Sequence, residues 1–136
     1  MAIRLRYKID AAISSNSSEE KDLGNGQFEV VIDTQKEGGS WRTKVFQSVT
    51  DLPLQMGNIG QVRYILIRTT PVDPNTAPVP IKIKLDDTAN TPIEIKPMDG
   101  SKEGYFLLTA PGVLNIFATN ESAAIDMYVT VYAVGD

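Results

Sequence analysis

Apolar and polar residues alternate with a period of two in short runs along this chain, and that limits it to strands. Ile3, Leu5, Tyr7, Ile9, Ala11 and Ile13 stand on odd positions, with Arg4, Arg6, Lys8 and Asp10 between them. A helix would scatter such a set around its circumference, whereas a strand sends one set inward and the other to water. Ile81, Ile83 and Leu85 alternate with Lys82, Lys84 and Asp86, and Ile93 and Ile95 with Glu94 and Lys96, so each of these segments keeps a wet face and is expected to be outer or edge-lying. The last run puts Ile125, Met127, Val129, Val131 and Ala133 on one face and Asp126, Tyr128, Thr130, Tyr132 and Val134 on the other. Strands are predicted over 3–13, 27–35, 41–50, 61–70, 80–86, 91–97, 105–110, 114–119 and 123–134. Between most of them stand residues that tolerate left-handed or fixed-φ backbone, among them Gly24-Asn25-Gly26, Gly38-Gly39, Gly57-Asn58, Pro74-Asn75, Asp99-Gly100 and Pro111-Gly112. The expected fold is all-β: an antiparallel β-sandwich of jelly-roll type with eight to nine strands and little or no helix, with a closed barrel as its competitor.

At 136 residues, 42% of them apolar and 22% charged, the chain has the size and composition of one folded domain, expected to span 1–136. Residues 14–26 (SSNSSEEKDLGNG) lack periodicity and are expected to form an exposed loop, with Glu19, Glu20 and Asp22 solvated at its tip without calcium-loop spacing. Pro71, Pro74, Pro78, Pro80 and Pro92 crowd the region between the fourth and sixth strands. The segment 71–80 is then a crossover between strands or a rigid arm reaching over a neighbouring subunit.

The composition removes most catalytic chemistry. Without cysteine there is no disulfide, zinc-thiolate site or thiol nucleophile, and without histidine no Ser-His-Asp triad, imidazole base or usual transition-metal site. Asp86-Asp87 is the only adjacent aspartate pair, and neighbouring strand residues point to opposite faces, so it is read as a strand end. Lys8, Lys82, Lys84 and Lys96 fall on the solvent phase of their strands, which does not suit a base or Schiff-base lysine. No phosphate loop, dinucleotide fingerprint, nucleophile elbow or EF-hand run is present. The chain is therefore read as non-enzymatic, with no cofactor and no metal. A net charge of -4 argues against a nucleic-acid partner. The apolar run 64–67 stops at Arg68, far short of a membrane span, and the charged start 1–9 holds no signal-peptide core, so synthesis in the cytoplasm is expected.

Single residues offer two leads. Trp41, after Gly38-Gly39-Ser40, is either a core anchor or a sugar-stacking platform, which would make the chain a carbohydrate-binding module. Tyr128, Tyr132 and Val134 lie opposite the core stripe of the last strand, covered either by a second sheet or loop or by a subunit interface, where tyrosine is favoured.

Residues 49–136 resemble, by order of segments, a recurrent small β-rich structural protein of tailed bacteriophages, of the head-decoration or minor structural type. The segments are LQMGNIG at 54–60, YILIRT at 64–69, IEIKP at 93–97, GYFLL at 104–108, NIFAT at 115–119 and the terminal strand 123–134. The chain departs from that pattern where Arg68 is followed by Thr69-Thr70-Pro71 and a proline-rich insertion. The resemblance implies a self-assembling virion component without catalytic residues, in contact with the major capsid protein or other virion proteins. A capsid decoration (cement) protein, with a homotrimer favoured, is the first expectation. A tail or fibre-base component is the second, and a carboxylate hydrolase belongs to a third class.

Overall fold

The computed structural model describes residues 3–14, 20–32, 37–59, 62–97, 99–108 and 113–135, and these hold ten strands and no helix. The chain divides into two compact units, Met1–Lys36 and Glu37–Asp136. The sandwich expected over the whole length is built within the second unit.

The first unit is an antiparallel hairpin of β1 (Ile3–Ser14) and β2 (Glu20–Ile32). Its register sets Ile3 opposite Ile32, Leu5 opposite Val30 and Tyr7 opposite Phe28, so the alternation of the two strands is in phase. Pairing runs on through 20–26, which the sequence reading assigns to a loop. Asp10 faces Asn25, Ala11 faces Gly24, and a register shift at Ala11/Ala12 precedes the pairs with Asp22, Lys21 and Glu20. The correction has a simple cause: ladder bonds use backbone groups, and a segment can continue a ladder without any alternation of its own.

The second unit has eight strands: β3 (Glu37–Val45), β4 (Val49–Pro53), β5 (Val62–Pro71), β6 (Ile81–Leu85), β7 (Ile93–Ile95), β8 (Gly104–Leu108), β9 (Ile116–Asn120) and β10 (Met127–Gly135). They form two four-stranded sheets, β3-β10-β5-β8 and β4-β9-β6-β7, with every pair antiparallel. The pairs β3·β10, β4·β9, β5·β8 and β6·β7 are nested, so the chain runs out through four strands and returns alongside them. Rolled up and closed by β10·β5 and β9·β6, this long double ribbon is the jelly-roll arrangement.

One predicted strand, 41–50, is two. The chain leaves β3 at Val45, turns through Phe46–Ser48 and enters β4 in the other sheet. Ser48 takes φ 59°, with its N–H bonded to Ser122 O (2.9 Å), and Gln47 N–H donates to Asp126 Oδ1 (2.8 Å). No glycine or proline marks this corner in the sequence, so the two strands read as one run. Of the two alternating segments expected to be outer or edge-lying, β6 is interior to its sheet and β7 is an edge, since alternation reports a wet face and not a free edge. The segment 71–80 connects β5 to β6 across the two sheets, with Val72 N–H bonded to Asp126 O (3.1 Å) and Thr76 O accepting from Lys102 Nζ (2.7 Å).

The core lies between the sheets. Ile65, Ile67, Val129 and Val131 of one sheet and Ile81, Ile83, Ile116 and Ala118 of the other are all fully or almost fully buried in one cluster. Each of the isoleucines and valines contributes roughly 1.5–3 kcal/mol of burial relative to exposure. In β10 buried and half-buried residues alternate without a break, as the sequence predicts. Asn120 is a fully buried polar residue whose side chain is satisfied: Nδ2 donates to Val45 O (3.2 Å) and Ile125 O (2.8 Å), and Oδ1 accepts from Ser122 N–H (3.0 Å).

Candidate interaction surface

The registers of β10 with its neighbours assemble the outer face of the β3-β10-β5-β8 sheet row by row. Tyr128 stands between Lys44 and Thr70, Thr130 between Arg42 and Arg68, and Tyr132 between Ser40 and Leu66. Beyond β5, Arg68 faces Tyr105 and Leu66 faces Leu107 of β8. Arg42 lies over the Tyr128 ring, 4.2 Å from its centroid. Tyr128, Tyr132 and Val134 therefore share one face, all half-buried, and among the described residues the second sheet packs on the opposite face, with Val129 and Val131.

A polar clasp crosses this face. Arg68 Nη2 donates to Glu103 Oε1 and Tyr105 OH donates to Glu103 Oε2, while Arg68 Nε is buried without a partner among the described residues. Glu103 is held below the usual carboxylate range, first by the Tyr105 hydroxyl and then by the guanidinium. Tyr105 is raised, chiefly because its proton is engaged by that carboxylate. The clasp fixes an aromatic ring at the sheet edge, where Tyr105 is 57% exposed and Leu107 42% exposed. Sequence reasoning missed Arg68, Glu103, Tyr105 and Leu107 as a group: GYFLL carries no polar–apolar alternation, and the exposure of Tyr105 and Leu107 appears only in the fold.

Trp41 belongs to the opposite face of the same sheet. It pairs with buried Val131 and packs against the core cluster. A Cβ built on Gly57, which has φ 60°, would stand 2.4 Å from Trp41 Cζ2, and one on Gly39 would stand 3.1 Å from the same ring. The indole thus lies against two glycines and the core margin, and its contacts are those of an anchor.

The second sheet carries an open groove of about 410 Å³ on its outer face, lined by Lys82, Lys84, Thr88, Asn90, Thr119 and Glu121. Both lysines are engaged: Lys82 Nζ lies 2.8 Å from Glu121 Oε1, and Lys84 Nζ 3.1 Å from Asp51 Oδ1. The bond to Glu121 raises the Lys82 pKa, which opposes the neutral amine that a lysine base or nucleophile requires. Asp86 ends β6 at φ 66° and accepts from Leu114 N–H (2.5 Å) and Asn115 N–H (3.2 Å), a turn-forming role. Among the described residues no group of three acidic, histidine or cysteine side chains is placed to hold a metal ion, and no helix is long and apolar enough to cross a membrane.

Comparison of the chain with protein-family models, curated proteins and solved structures finds no match in any of the three.

Proposed function

We propose that this protein is a non-enzymatic structural component of a tailed-phage virion, a decoration subunit that reinforces the head by contacts with the major capsid protein and with its own copies. The observation that carries this reading is the outer face of the β3-β10-β5-β8 sheet, where Tyr128, Tyr132, Arg42, Arg68 and Tyr105 are gathered on a rigid framework. Tyrosine and arginine are the residues enriched in protein interfaces and their energetic centres. Jelly rolls also serve recurrently in viral shells, which supports the reading as analogy only. A homotrimer is the assembly in which such a face meets capsid subunits around a three-fold axis.

The experiment is decoration in vitro. Purified protein is mixed with phage heads that lack tails, and separately with tails, and bound particles are imaged. Density on the heads supports the reading, and labelling of tails alone replaces it with a tail or fibre-base role. Tyr132→Glu is expected to abolish binding with the far-ultraviolet circular dichroism unchanged. The packing of the Trp41 ring against Gly57 and the core supports an anchor over a sugar-stacking platform.

A further inference from the structure

The two sheets of the sandwich end in four edge strands, β3, β4, β7 and β8. An open edge is a template for another chain, and folded proteins guard such edges with charge, proline, bulges or brevity. Three of the four are guarded. β3 carries exposed Arg42 and Lys44; β4 has a register break between Val49 and Leu52, with Asp51 at φ 51°, and ends in Pro53. β7 is three residues long, preceded by Pro92 and followed at Pro97.

β8 has none of these devices. Its sequence is Gly-Tyr-Phe-Leu-Leu, without charge, proline or register break, and Tyr105 and Leu107 are two of the four exposed large apolar side chains among the described residues. On its buried face the strand is tightly packed at its first residue, where a Cβ on Gly104 would stand 2.7 Å from Thr69 Oγ1 and 2.9 Å from Ile95 Cγ2.

We propose that β8 is a docking edge for the β8 of a second copy, joining two sandwiches through one continuous eight-stranded sheet about a two-fold axis at Phe106. Self-complementarity selects this occupant. In that register Phe106 faces Phe106 of the second copy and Tyr105 faces its Leu107, so aromatic and aliphatic side chains meet and no like charges are opposed. The pairing covers the two exposed side chains of the strand. Glu103, tied to Arg68 and Tyr105, stands outside the three central pairs. The contact does not depend on a place in a virion, and combined with a three-fold assembly it predicts even multiples of the protomer.

Size-exclusion chromatography with light scattering tests it on the purified full chain. The wild type is expected at an even multiple of the protomer mass, and Leu107→Lys at half that mass with an unchanged circular dichroism spectrum. The dissociation constant should rise about hundredfold, because the change occurs twice in each contact. An odd multiple for the wild type, or an unchanged mass for Leu107→Lys, overturns the proposal. Since the chain has no cysteine, Tyr105→Cys and Leu107→Cys proteins give a second readout under mild oxidation. A mixture of the two should crosslink faster than either alone, because directly opposed Cβ atoms are within disulfide reach and diagonal ones are farther apart. Equal rates, or no crosslinking, refute the register. Both measurements use the protein alone, so they can fail while head binding succeeds, and the reverse.

Discussion

Gly57 and Trp41 provide the sharpest test of how this sandwich is packed. Gly57→Ala introduces two separable costs. The residue keeps a φ of 60°, where an L side chain is disfavoured by roughly 1–2 kcal/mol. The new Cβ also meets the indole, at 2.4 Å from Cζ2 and 2.9 Å from Cε2, so the ring must shift by about an ångström out of its seat. Overpacking of this kind costs roughly 1–3 kcal/mol, which brings the expected total to about 3 kcal/mol. Trp41→Ala removes a half-buried ring and is expected to cost about 2 kcal/mol, below the roughly 3–5 kcal/mol of a fully buried one. The decisive quantity is the double variant. The three atoms nearest the new methyl all belong to the indole, so without the ring Gly57→Ala should cost mainly the backbone term, about 1 kcal/mol. The expected coupling is therefore about 2 kcal/mol, large for a contact pair. Urea unfolding followed by far-ultraviolet circular dichroism measures it, since Trp41 is the only tryptophan and cannot report on its own removal. If Gly57→Ala costs the same with and without Trp41, the indole does not rest on that turn and its assignment as an anchor fails.

Four further outcomes follow from other buried or clasped groups. Asn120→Ala should lower stability by about 3 kcal/mol in the same urea assay, because two carbonyls and one N–H lose their partner; a loss under about 1 kcal/mol would mean that water replaces the amide. Thr69 is fully buried with its hydroxyl unpartnered among the described residues, so the isosteric Thr69→Val should raise stability by about 1 kcal/mol, and a lower unfolding midpoint would contradict this. Tyr105 should titrate above the ordinary tyrosine range in an ultraviolet absorbance titration, and Glu103→Gln should bring it back toward that range. The carboxylate itself has the opposite sign: its folded pKa is lowered, so its contribution is present above the unfolded carboxylate value and is lost as pH falls through the folded one. Glu103→Gln should flatten that part of the pH–stability profile, and an identical profile for the variant would exclude the clasp.

How much of this was legible depended on range. β10 and β6 could be read almost residue by residue, because each has one dry and one wet face and the period is two. The corner at Phe46–Ser48 was not legible: it is made by Ser48 at positive φ, bonded to Ser122, a residue far along the chain. Residues 20–26 escaped for a related reason, since their place in β2 is decided by the register of β1 and not by their own pattern. The outer-face tyrosines of β10 could be placed on a common face, but the clasp could not. Arg68 and Glu103 meet only because β5 and β8 are adjacent in the nested ribbon, and adjacency is topology. Trp41 was legible as an aromatic in a strand, whereas Gly57, the residue that gives its ring a seat, lies in a different segment with no pattern linking the two.

The nested ribbon also explains why the exposed edge lies where it does. Rolling a double ribbon leaves the strands next to each corner as sheet ends, and each end needs its own protection. At β8 the chain has spent its polar groups differently. Glu103, at the entry to the strand, is turned onto Arg68 and Tyr105, so the acid nearest the edge orients an aromatic ring in place of repelling an incoming strand. A tyrosine held in one rotamer has little side-chain freedom left to lose when it is covered, and pre-ordering of this kind favours association. Across β5, Arg68 stands opposite Thr130 of β10, so the clasp reaches from the edge residue to the strand that carries Tyr128 and Tyr132. The clasp therefore lies between two surfaces that topology places side by side: the tyrosine–arginine face proposed to meet other virion proteins, and the strand proposed to meet a second copy.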